Sequence, residues 1–301
     1  MSTIERRLAV SDPDRLAGEL ADFIDESVRS TGRAGCVLGN SGGVDSALAA
    51  ALAVRALGRD NVHLYFLPER DSDPKTRADA ALVARHFGLP MVTLNITPVL
   101  RKLGVYRQAP WAVLFPHSVR SRYNSSVHEK RAGSSRSSLL NRISTGAPPG
   151  YFTTHAADMS AKTRVRMAVL YRFAESLNCL VMGTNNRSEK MSGLFVRYGD
   201  AACDLNPLES LFKTQIFALA EAVGVPRRII DKAPSGDLIP GVNDHGLLRM
   251  DYGALDVILA GLDLGLDDGE IVAAGASTED IAYVRSLAAE AAGFARLPLV
   301  P

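Results

Sequence analysis

Cysteines and long apolar runs are both scarce in this 301-residue sequence, and each scarcity removes a class of protein. The three cysteines, Cys36, Cys179 and Cys203, lack metal-type spacing, and their odd number argues against a complete disulfide framework. A reducing compartment suits such a chain, so we expect a cytoplasmic protein. No apolar run is long enough to span a bilayer, and the polar N-terminus is unlike a secretory signal, so we expect no membrane association.

The chain also lacks an excess of positive or negative charge. The 34 Lys and Arg residues balance 33 Asp and Glu residues, which leaves a formal net charge of +1. This balance offers no general attraction for nucleic acid or a membrane surface, so we do not expect nucleic acid as a partner. Hydrophobic residues make up 47 % of the chain, enough to bury a sizeable core, and the length suits one large or two small domains.

One glycine-rich stretch lies between a short apolar run, residues 36–38, and an apolar run with helical periodicity, residues 47–57. A strand, a glycine-rich turn and a helix in this order turn backbone N–H groups toward one point and form a cradle for a phosphate. The stretch lacks the lysine of a Walker A loop, and a carboxylate, Asp45, beside a phosphate site indicates a bound Mg2+. The alternative is a merely flexible connection. The candidate residues for ATP phosphates are Gly39, Asn40, Ser41, Gly42, Gly43, Val44, Asp45 and Ser46.

Strands and helices are predicted to alternate along the chain. Apolar runs predict strands at residues 36–38, 62–67, 91–96 and 179–182, and helical spacing predicts helices at 12–33, 47–57, 75–87, 161–177 and 213–223. This rhythm indicates an α/β fold with a doubly wound parallel sheet and helices on both faces. From residue 252 onward the spacing predicts a small helical tail packed on the sheet. Ligands of such sheets bind at the carboxyl ends of the strands.

The stretch of residues 105–158 breaks this rhythm and is rich in Ser and Arg. One interpretation is a long mobile loop with a solvated basic face; another is a lid or substrate arm in which basic groups meet phosphates and Trp111 or Tyr123 stacks on a ring. A nucleic-acid arm is a third interpretation, although no basic body supports it. Its basic residues include Arg120, Arg122, Lys130, Arg131, Arg136 and Arg142.

Two further groups of polar residues follow. Lys162, Arg164 and Arg166 fall near the predicted start of a helix, where positive charge is unfavourable, so either a nearby anion or a solvated face explains them. The strand at 179–182 ends in a second turn, residues 183–189, at the same sheet edge as the first. There Thr184 could meet a nucleotide, and Glu189 could join Asp45 on Mg2+.

With these motifs in place, the chain resembles the ammonia-dependent NAD synthetases, which belong to the ATP pyrophosphatases. The resemblance covers roughly residues 10–104 and 160–301 and rests on several ordered motifs: the glycine-rich loop, 162–167, 183–189, 198–200 with Asp204, 207–208, 213–214 and 232–235. It implies a single domain over residues 1–301 with an adenine nucleotide alpha hydrolase-like fold, a small helical C-terminal tail and an unusual insertion at about 105–158.

The resemblance also implies a reaction. ATP adenylates the nicotinate carboxylate of deamido-NAD and releases pyrophosphate, and ammonia then displaces AMP to give the amide. Residues 39–46 with Thr184, Lys213 and Ser235 would bind ATP, while Asp45 and Glu189 would bind Mg2+. Substrate would be held by Arg164, Arg197 and Asp204, and Asp200 would lie at the ammonia or carboxylate end.

The sequence departs from the family pattern in three places. Gly293-Phe294-Ala295 replaces a basic His-Lys-Arg run near the C-terminus, Arg197 replaces a lysine, and His245 replaces an acid. Fewer cations near an anionic ligand weaken its binding, so a ligase acting on a different carboxylic acid is an alternative. A nucleotide-binding module without catalysis and a tRNA-modifying sulfur transferase are alternatives of other classes. For the last, Cys203 has no Cys-x-x-Cys partner, which favours a small buried filler.

The resemblance bears on partners too. Related enzymes that use glutamine carry an extra amidase domain, which does not fit into 301 residues, so the implied nitrogen donor is free ammonia or a separate glutaminase. Relatives are homodimers, and we expect a homodimer here.

Overall fold

A parallel sheet of four strands forms the centre of the computed structural model, which describes residues 1–107, 109–132, 138–143 and 151–295. The strands are β1 (Gly35–Gly39), β2 (Val62–Phe66), β3 (Met91–Thr93) and β4 (Cys179–Val181), in the order β3-β2-β1-β4. Cys36 of β1 lies opposite Val62 on one side and Leu180 on the other. The predicted parallel α/β sheet is confirmed, although β3 is three residues shorter than predicted.

Helices surround this sheet. In chain order they are α1 (Thr3–Leu8), α2 (Pro13–Ser30), α3 (Val44–Leu57), α4 (Pro74–Phe87), α5 (Thr97–Lys102), α6 (His117–Ala132), α7 (Ser138–Ile143), α8 (Tyr151–Leu177), α9 (Arg187–Ser192), α10 (Lys213–Ala222), α11 (Arg227–Ile230), α12 (Asp244–Leu248), α13 (Tyr252–Asp263), α14 (Asp268–Ala273) and α15 (Thr278–Ala295). Short 3-10 turns occupy Arg59–Asn61 and Pro110–Leu114.

Helices cover the apolar residues of β1 and β2 on both faces of the sheet. On one face β1 and β2 pack with α2, α3 and α10 in a single cluster that includes Leu38, Leu48 and Ile216. On the other face Val37 and Tyr65 pack against α8. Helix α3 is buried along most of its length, which explains its nearly continuous run of Ala and Leu.

The C-terminal helices form a core of their own. Leu255, Ile281 and Leu287 are fully buried in a cluster with Ile4 of α1 and Phe212, which precedes α10. The helical tail is confirmed, but the prediction that it packs on the sheet was wrong. Its apolar residues instead face helices α1, α7, α9 and α10, because α2, α3 and α10 already cover that face of the sheet.

The Ser/Arg-rich stretch contains helices where it is described. Helices α6 and α7 lie within it, and α8 begins at Tyr151, ten residues before the predicted start. Arg164 and Arg166 therefore lie inside a helix and not in its first turn, so the unfavourable end of the dipole does not apply to them. The side chains of Trp111, Lys130, Arg131 and Arg142, and all of Arg136, lie outside the described residues. Within the described part of the chain, no helix is long and apolar enough to cross a membrane.

Candidate active site

The glycine-rich turn joins the end of β1 to the start of α3. Gly42 has φ +66°, and a Cβ on it would lie 2.8 Å from the backbone nitrogen of Ala80, so both conformation and space require glycine. Asn40 holds the turn by donating to the Ala80 carbonyl and accepting from the Gly42 N–H. Gly43 caps α3 without any side-chain hydrogen bond, which leaves first-turn N–H groups of the helix available to an anion.

Two serines face each other across this turn. The hydroxyl oxygens of Ser41 and Ser46 are 3.1 Å apart, and the Ser46 hydroxyl also donates to the Gly43 carbonyl. Ser46 is buried, whereas Ser41 is exposed. The turn thus has uncapped amides and hydroxyls, the groups that a phosphate site needs. The assignment of these residues to the ATP phosphates stays a prediction.

Asp45 and Glu189 converge on one lysine. The Nζ atom of Lys213, at the first residue of α10, lies 2.5 Å from Asp45 Oδ2 and 3.6 Å from Glu189 Oε1. Asn186 donates to Asp45 Oδ1 at 2.9 Å and caps α9 by accepting from the Glu189 N–H. Three elements, the starts of α3, α9 and α10, therefore bring these charges together at the carboxyl edge of the sheet.

Burial shifts the ionisation of this group. Burial raises the pKa of Glu189 to about 8; Lys213 opposes this rise, and the nearby carboxylates of Asp45 and Asp244 add to it. Burial also acts to lower the pKa of Lys213, but Asp45 and Glu189 outweigh it and hold the pKa above its usual value. Lys213 therefore stays a cation, whereas the ionised form of Glu189 is disfavoured.

The donor set suits a hard divalent cation. Mg2+ is commonly bound by one or two carboxylates together with substrate phosphates, and Asp45 and Glu189 are two carboxylates already close enough to share one cation, the Lys213 ammonium. Among the described residues no group of three or more His, Cys, Asp or Glu side chains could hold a metal by itself. A metal here would need oxygens from the nucleotide as well.

A cavity of about 1530 Å³ opens in front of these residues. Thr184, Ser235 and Asp200 line it together with Asp45, Glu189 and Lys213. Residues 232–243, which contain no helix or strand, form one wall and are called the pocket loop below. The cavity is large enough for a nucleotide and part of a second ligand.

Lys232 and Arg166 are among the charged residues of this cavity that were not predicted as site residues. Lys232 Nζ lies 3.3 Å from the Gly42 carbonyl oxygen and 3.0 Å from Asp79 Oδ2, which places a cation directly beside the phosphate loop. Arg166, which donates to the Leu67 carbonyl, lines the cavity from α8. Lys232 belongs to one of the motifs that carry the family resemblance, and this was the available signal.

The three predicted substrate residues do not line this cavity. Asp204 accepts from the Val181 N–H at 2.7 Å and from the Tyr171 hydroxyl at 3.3 Å, so its carboxylate is engaged with β4 and α8. Arg164 donates to the Arg197 carbonyl, and the Arg197 guanidinium lies 4.4 Å from the centroid of the Phe294 ring. Asp200, by contrast, lines the cavity while it accepts from the Val196 N–H.

Cys203 has the properties of a packed residue. Its Sγ would lie 2.7 Å from a Cβ built on Gly183, so the two residues are in close contact. Burial, followed by the charge of Asp204, raises the pKa of the Cys203 thiol and so disfavours the reactive thiolate. This geometry does not favour the sulfur-transfer alternative.

The sequence of this chain is similar to those of known proteins. The family model described as NAD synthase matches residues 16–155 and 141–296. An NH3-dependent NAD+ synthetase from Thermotoga maritima is 41 % identical over 249 residues, which is 82 % of this chain and 87 % of the relative.

Two solved structures share the fold. An NMN synthetase from Francisella tularensis has a TM-score of 0.72 at 24 % identity and covers 96 % of this chain and 98 % of its own. An NH3-dependent NAD synthetase from Campylobacter jejuni, in complex with the nitrate ion, has a TM-score of 0.69 at 25 % identity, with 97 % and 100 % covered. Similarity to both extends over nearly the whole length of each chain.

Proposed function

Because the chain belongs to the NAD synthase family, we propose that it is an ammonia-dependent ligase that converts the nicotinate carboxylate of deamido-NAD into the carboxamide of NAD at the expense of ATP. The observation that carries the proposal is the cavity in which the phosphate loop, Asp45, Glu189 and Lys213 meet. This arrangement has the groups needed to bind a triphosphate and release pyrophosphate.

In the first step the acceptor carboxylate attacks the α-phosphorus of ATP, and pyrophosphate leaves. The first-turn N–H groups of α3 bind and orient the phosphates, and the hydroxyls of Ser41 and Ser46 lie beside them. Lys213 and Lys232 supply positive charge from two sides. Asp45 and Glu189 would hold Mg2+, which would add charge stabilisation of the leaving pyrophosphate. Adenylation converts a poor leaving group into AMP.

In the second step ammonia attacks the acyl carbon of the adenylate. The new C–N bond forms, the C–O bond to AMP breaks, and the excess proton of the attacking nitrogen must be removed. Asp200 lies on the cavity wall and is our candidate for the residue that holds ammonia or accepts this proton. Thr184 and Ser235 line the same cavity and are candidates for hydrogen bonds to ATP.

One observation favours a second acceptor. The Phe294 ring occupies the C-terminal position where family members have a basic run, and it lies against Arg197. This arrangement presents fewer cations to a dinucleotide, so an amide-forming ligase acting on another carboxylic acid is the second candidate. Both candidates share the adenylation half of the reaction. We also propose a cytoplasmic homodimer, by analogy with the family.

The test is pyrophosphate release with ATP, Mg2+ and 15N-labelled ammonium, measured with and without deamido-NAD. The proposal expects pyrophosphate release that depends on deamido-NAD, and NAD whose mass shows one 15N atom. Nicotinate mononucleotide, which has the same carboxylate without the adenylate half, is the matched control acid. Turnover with another acid and not with deamido-NAD would favour the second candidate, a ligase acting on a different carboxylic acid. ATP binding without turnover for any acid would indicate a binding module.

A further inference from the structure

A second group of buried charges lies outside the cavity. Glu69 and Asp71 follow β2, and Lys162, which has no exposed surface, extends toward them from α8. Its Nζ atom is 2.9 Å from Glu69 Oε1 and 2.9 Å from Asp71 Oδ2. The anion that the sequence suggested near Lys162 is thus supplied by the protein itself.

The insertion contributes the other half of this group. Arg120 of α6 donates to Asp71 Oδ1 at 2.6 Å and to the Arg70 carbonyl at 3.4 Å. Arg70 forms two hydrogen bonds to the Asp71 carboxylate, and the Tyr106 hydroxyl donates to Glu69 Oε2 at 2.7 Å. We call Glu69, Arg70, Asp71, Arg120 and Lys162 the buried charge cluster.

The pairing in this cluster is strong enough to overcome its burial. Burial acts to raise the pKa of Asp71, but hydrogen bonds and charge from Arg70 and Lys162 outweigh it and lower the pKa. Asp71 is therefore held as an anion that organises three cations from three parts of the chain. Well-packed apolar residues would stabilise the fold as well as buried ion pairs do, so what the charges add is a defined relative position of these parts.

The cluster and α6 both bind the pocket loop. Besides its two carboxylates, Lys162 donates to the Leu238 carbonyl at 2.8 Å. Farther along the loop, the Ser125 hydroxyl of α6 donates to the Gly241 carbonyl at 2.7 Å. Gly241 has φ +80°, and a Cβ on it would lie 2.5 Å from the carbonyl oxygen of Ser121, so the loop and α6 are in backbone contact.

We propose that the buried charge cluster is a clamp that positions the pocket loop for nucleotide binding, with Arg120 holding α6 against the loop and Lys162 holding Leu238. The nature of the bound ligand, ATP, rests on the proposed function. The clamp itself rests on contacts among described residues. Its members are positioning residues, because none of them lines the cavity. The Ser/Arg-rich insertion would thereby order the pocket loop through the contacts of α6.

The first experiment needs no substrate and compares Arg120→Gln with Arg122→Gln. Arg122 lies on the same helix and is exposed, so it is a matched control for the same chemical change. Hydrogen exchange followed by mass spectrometry should show about tenfold faster exchange of amides in residues 232–243 for Arg120→Gln, because the ordering contact to Asp71 is lost. Arg122→Gln should match the wild type. Unchanged exchange in Arg120→Gln would overturn the proposal.

The second experiment separates positioning from general stability. Arg120→Gln should raise the KM for ATP about tenfold and change kcat and the acceptor KM less than about twofold. Arg120→Lys, which keeps one charged contact to Asp71, should restore part of the ATP affinity. Equal losses in kcat and in both KM values would contradict a positioning role.

Two further arms keep the proposal testable. If Arg120→Gln does not fold, Ser125→Ala removes only the hydrogen bond to Gly241 and should produce a smaller change in the same direction; no change in loop exchange would count against the clamp. If the wild type binds no ATP, the proposed function fails, while the exchange measurement on the loop still decides whether the clamp exists.

Discussion

Asp45→Asn is the sharpest test of the charged group at the phosphate loop. Asp45 lies 2.5 Å from the Lys213 ammonium, and its side chain is 18 % exposed whereas that of Lys213 is 2 % exposed. Removing one partner of a buried ion pair typically costs about 3–5 kcal/mol. Asparagine keeps an oxygen as acceptor, and Glu189 remains 3.6 Å from the ammonium, so we expect a smaller loss of about 2 kcal/mol. The variant should fold, with a Tm lower by about 3 °C.

The effect on catalysis should be much larger than the effect on stability. If Asp45 holds Mg2+, pyrophosphate release should fall at least about a hundredfold, because charge stabilisation of the leaving group is lost. The assay is pyrophosphate release with ATP, Mg2+, ammonium and deamido-NAD, with thermal unfolding measured on the same preparations. Asp14→Asn is the matched control, since Asp14 also occupies the second residue of a helix, α2, but is exposed. Normal turnover in Asp45→Asn would refute the metal assignment.

Three further predictions test other parts of the molecule. Gly42→Ala should weaken ATP binding at least about tenfold, because Gly42 has φ +66° and a Cβ would lie 2.8 Å from a backbone nitrogen of α4; titration calorimetry checks this, and unchanged affinity would contradict the loop geometry. Phe294→Ala should raise the acceptor KM about threefold and leave the KM for ATP unchanged, because the Phe294 ring centroid lies 4.4 Å from the Arg197 guanidinium and supports it. Steady-state kinetics measure both KM values. Equal changes in the two would argue against a substrate role for Arg197. Burial raises the pKa of Cys36 to about 12, so this thiol should stay protonated at pH 8. A disulfide reagent should not label it until the protein unfolds, and peptide mass spectrometry measures this labelling. Rapid labelling of the native protein would contradict the burial of Cys36.

Local features were predictable from the sequence. The turn between β1 and α3 needs glycine for its backbone conformation and an apolar strand before it. Both requirements can be recognised from neighbouring residues in the sequence. The four strands were located for a similar reason, since β1, β2 and β4 are short, largely buried runs of mainly apolar residues. β3 also lies in an apolar run, although the strand itself is largely exposed. The convergence of Asp45 and Glu189 followed from topology, because parallel neighbouring strands end at the same edge.

The early start of α8 shows where local signals fail. Its first ten residues include the pair Thr153 and Thr154, and β-branched residues have low helix propensity. In the structure the helix continues because its later turns pack against the sheet through Met167 and Leu170. Tertiary packing overrides a weak local preference, and it is not visible in the segment itself.

Contacts between distant residues account for the remaining differences. The buried charge cluster joins Asp71 to Lys162 across 91 residues, and no periodicity links the two positions. Asp204 was assigned to substrate by resemblance, but in the structure its carboxylate binds the backbone of β4 at Val181. The direction of a side chain in an irregular loop depends on what surrounds it, which the sequence of the loop does not state.

Among the residues that the structure describes, two lysines are buried, each between two carboxylates, and their surroundings indicate different roles. Lys213, Asp45 and Glu189 line the cavity, so the proposed nucleotide and Mg2+ would have access to them and could exchange partners with them. Lys162 and its two carboxylate partners, Glu69 and Asp71, do not line the cavity, and Lys162 also donates to the Leu238 backbone carbonyl of the pocket loop. A charge group that opens onto a cavity can respond to a ligand, whereas one closed from it can only fix the geometry in which the ligand binds. Nucleotide binding should therefore change the partners of Lys213 and leave those of Lys162 in place.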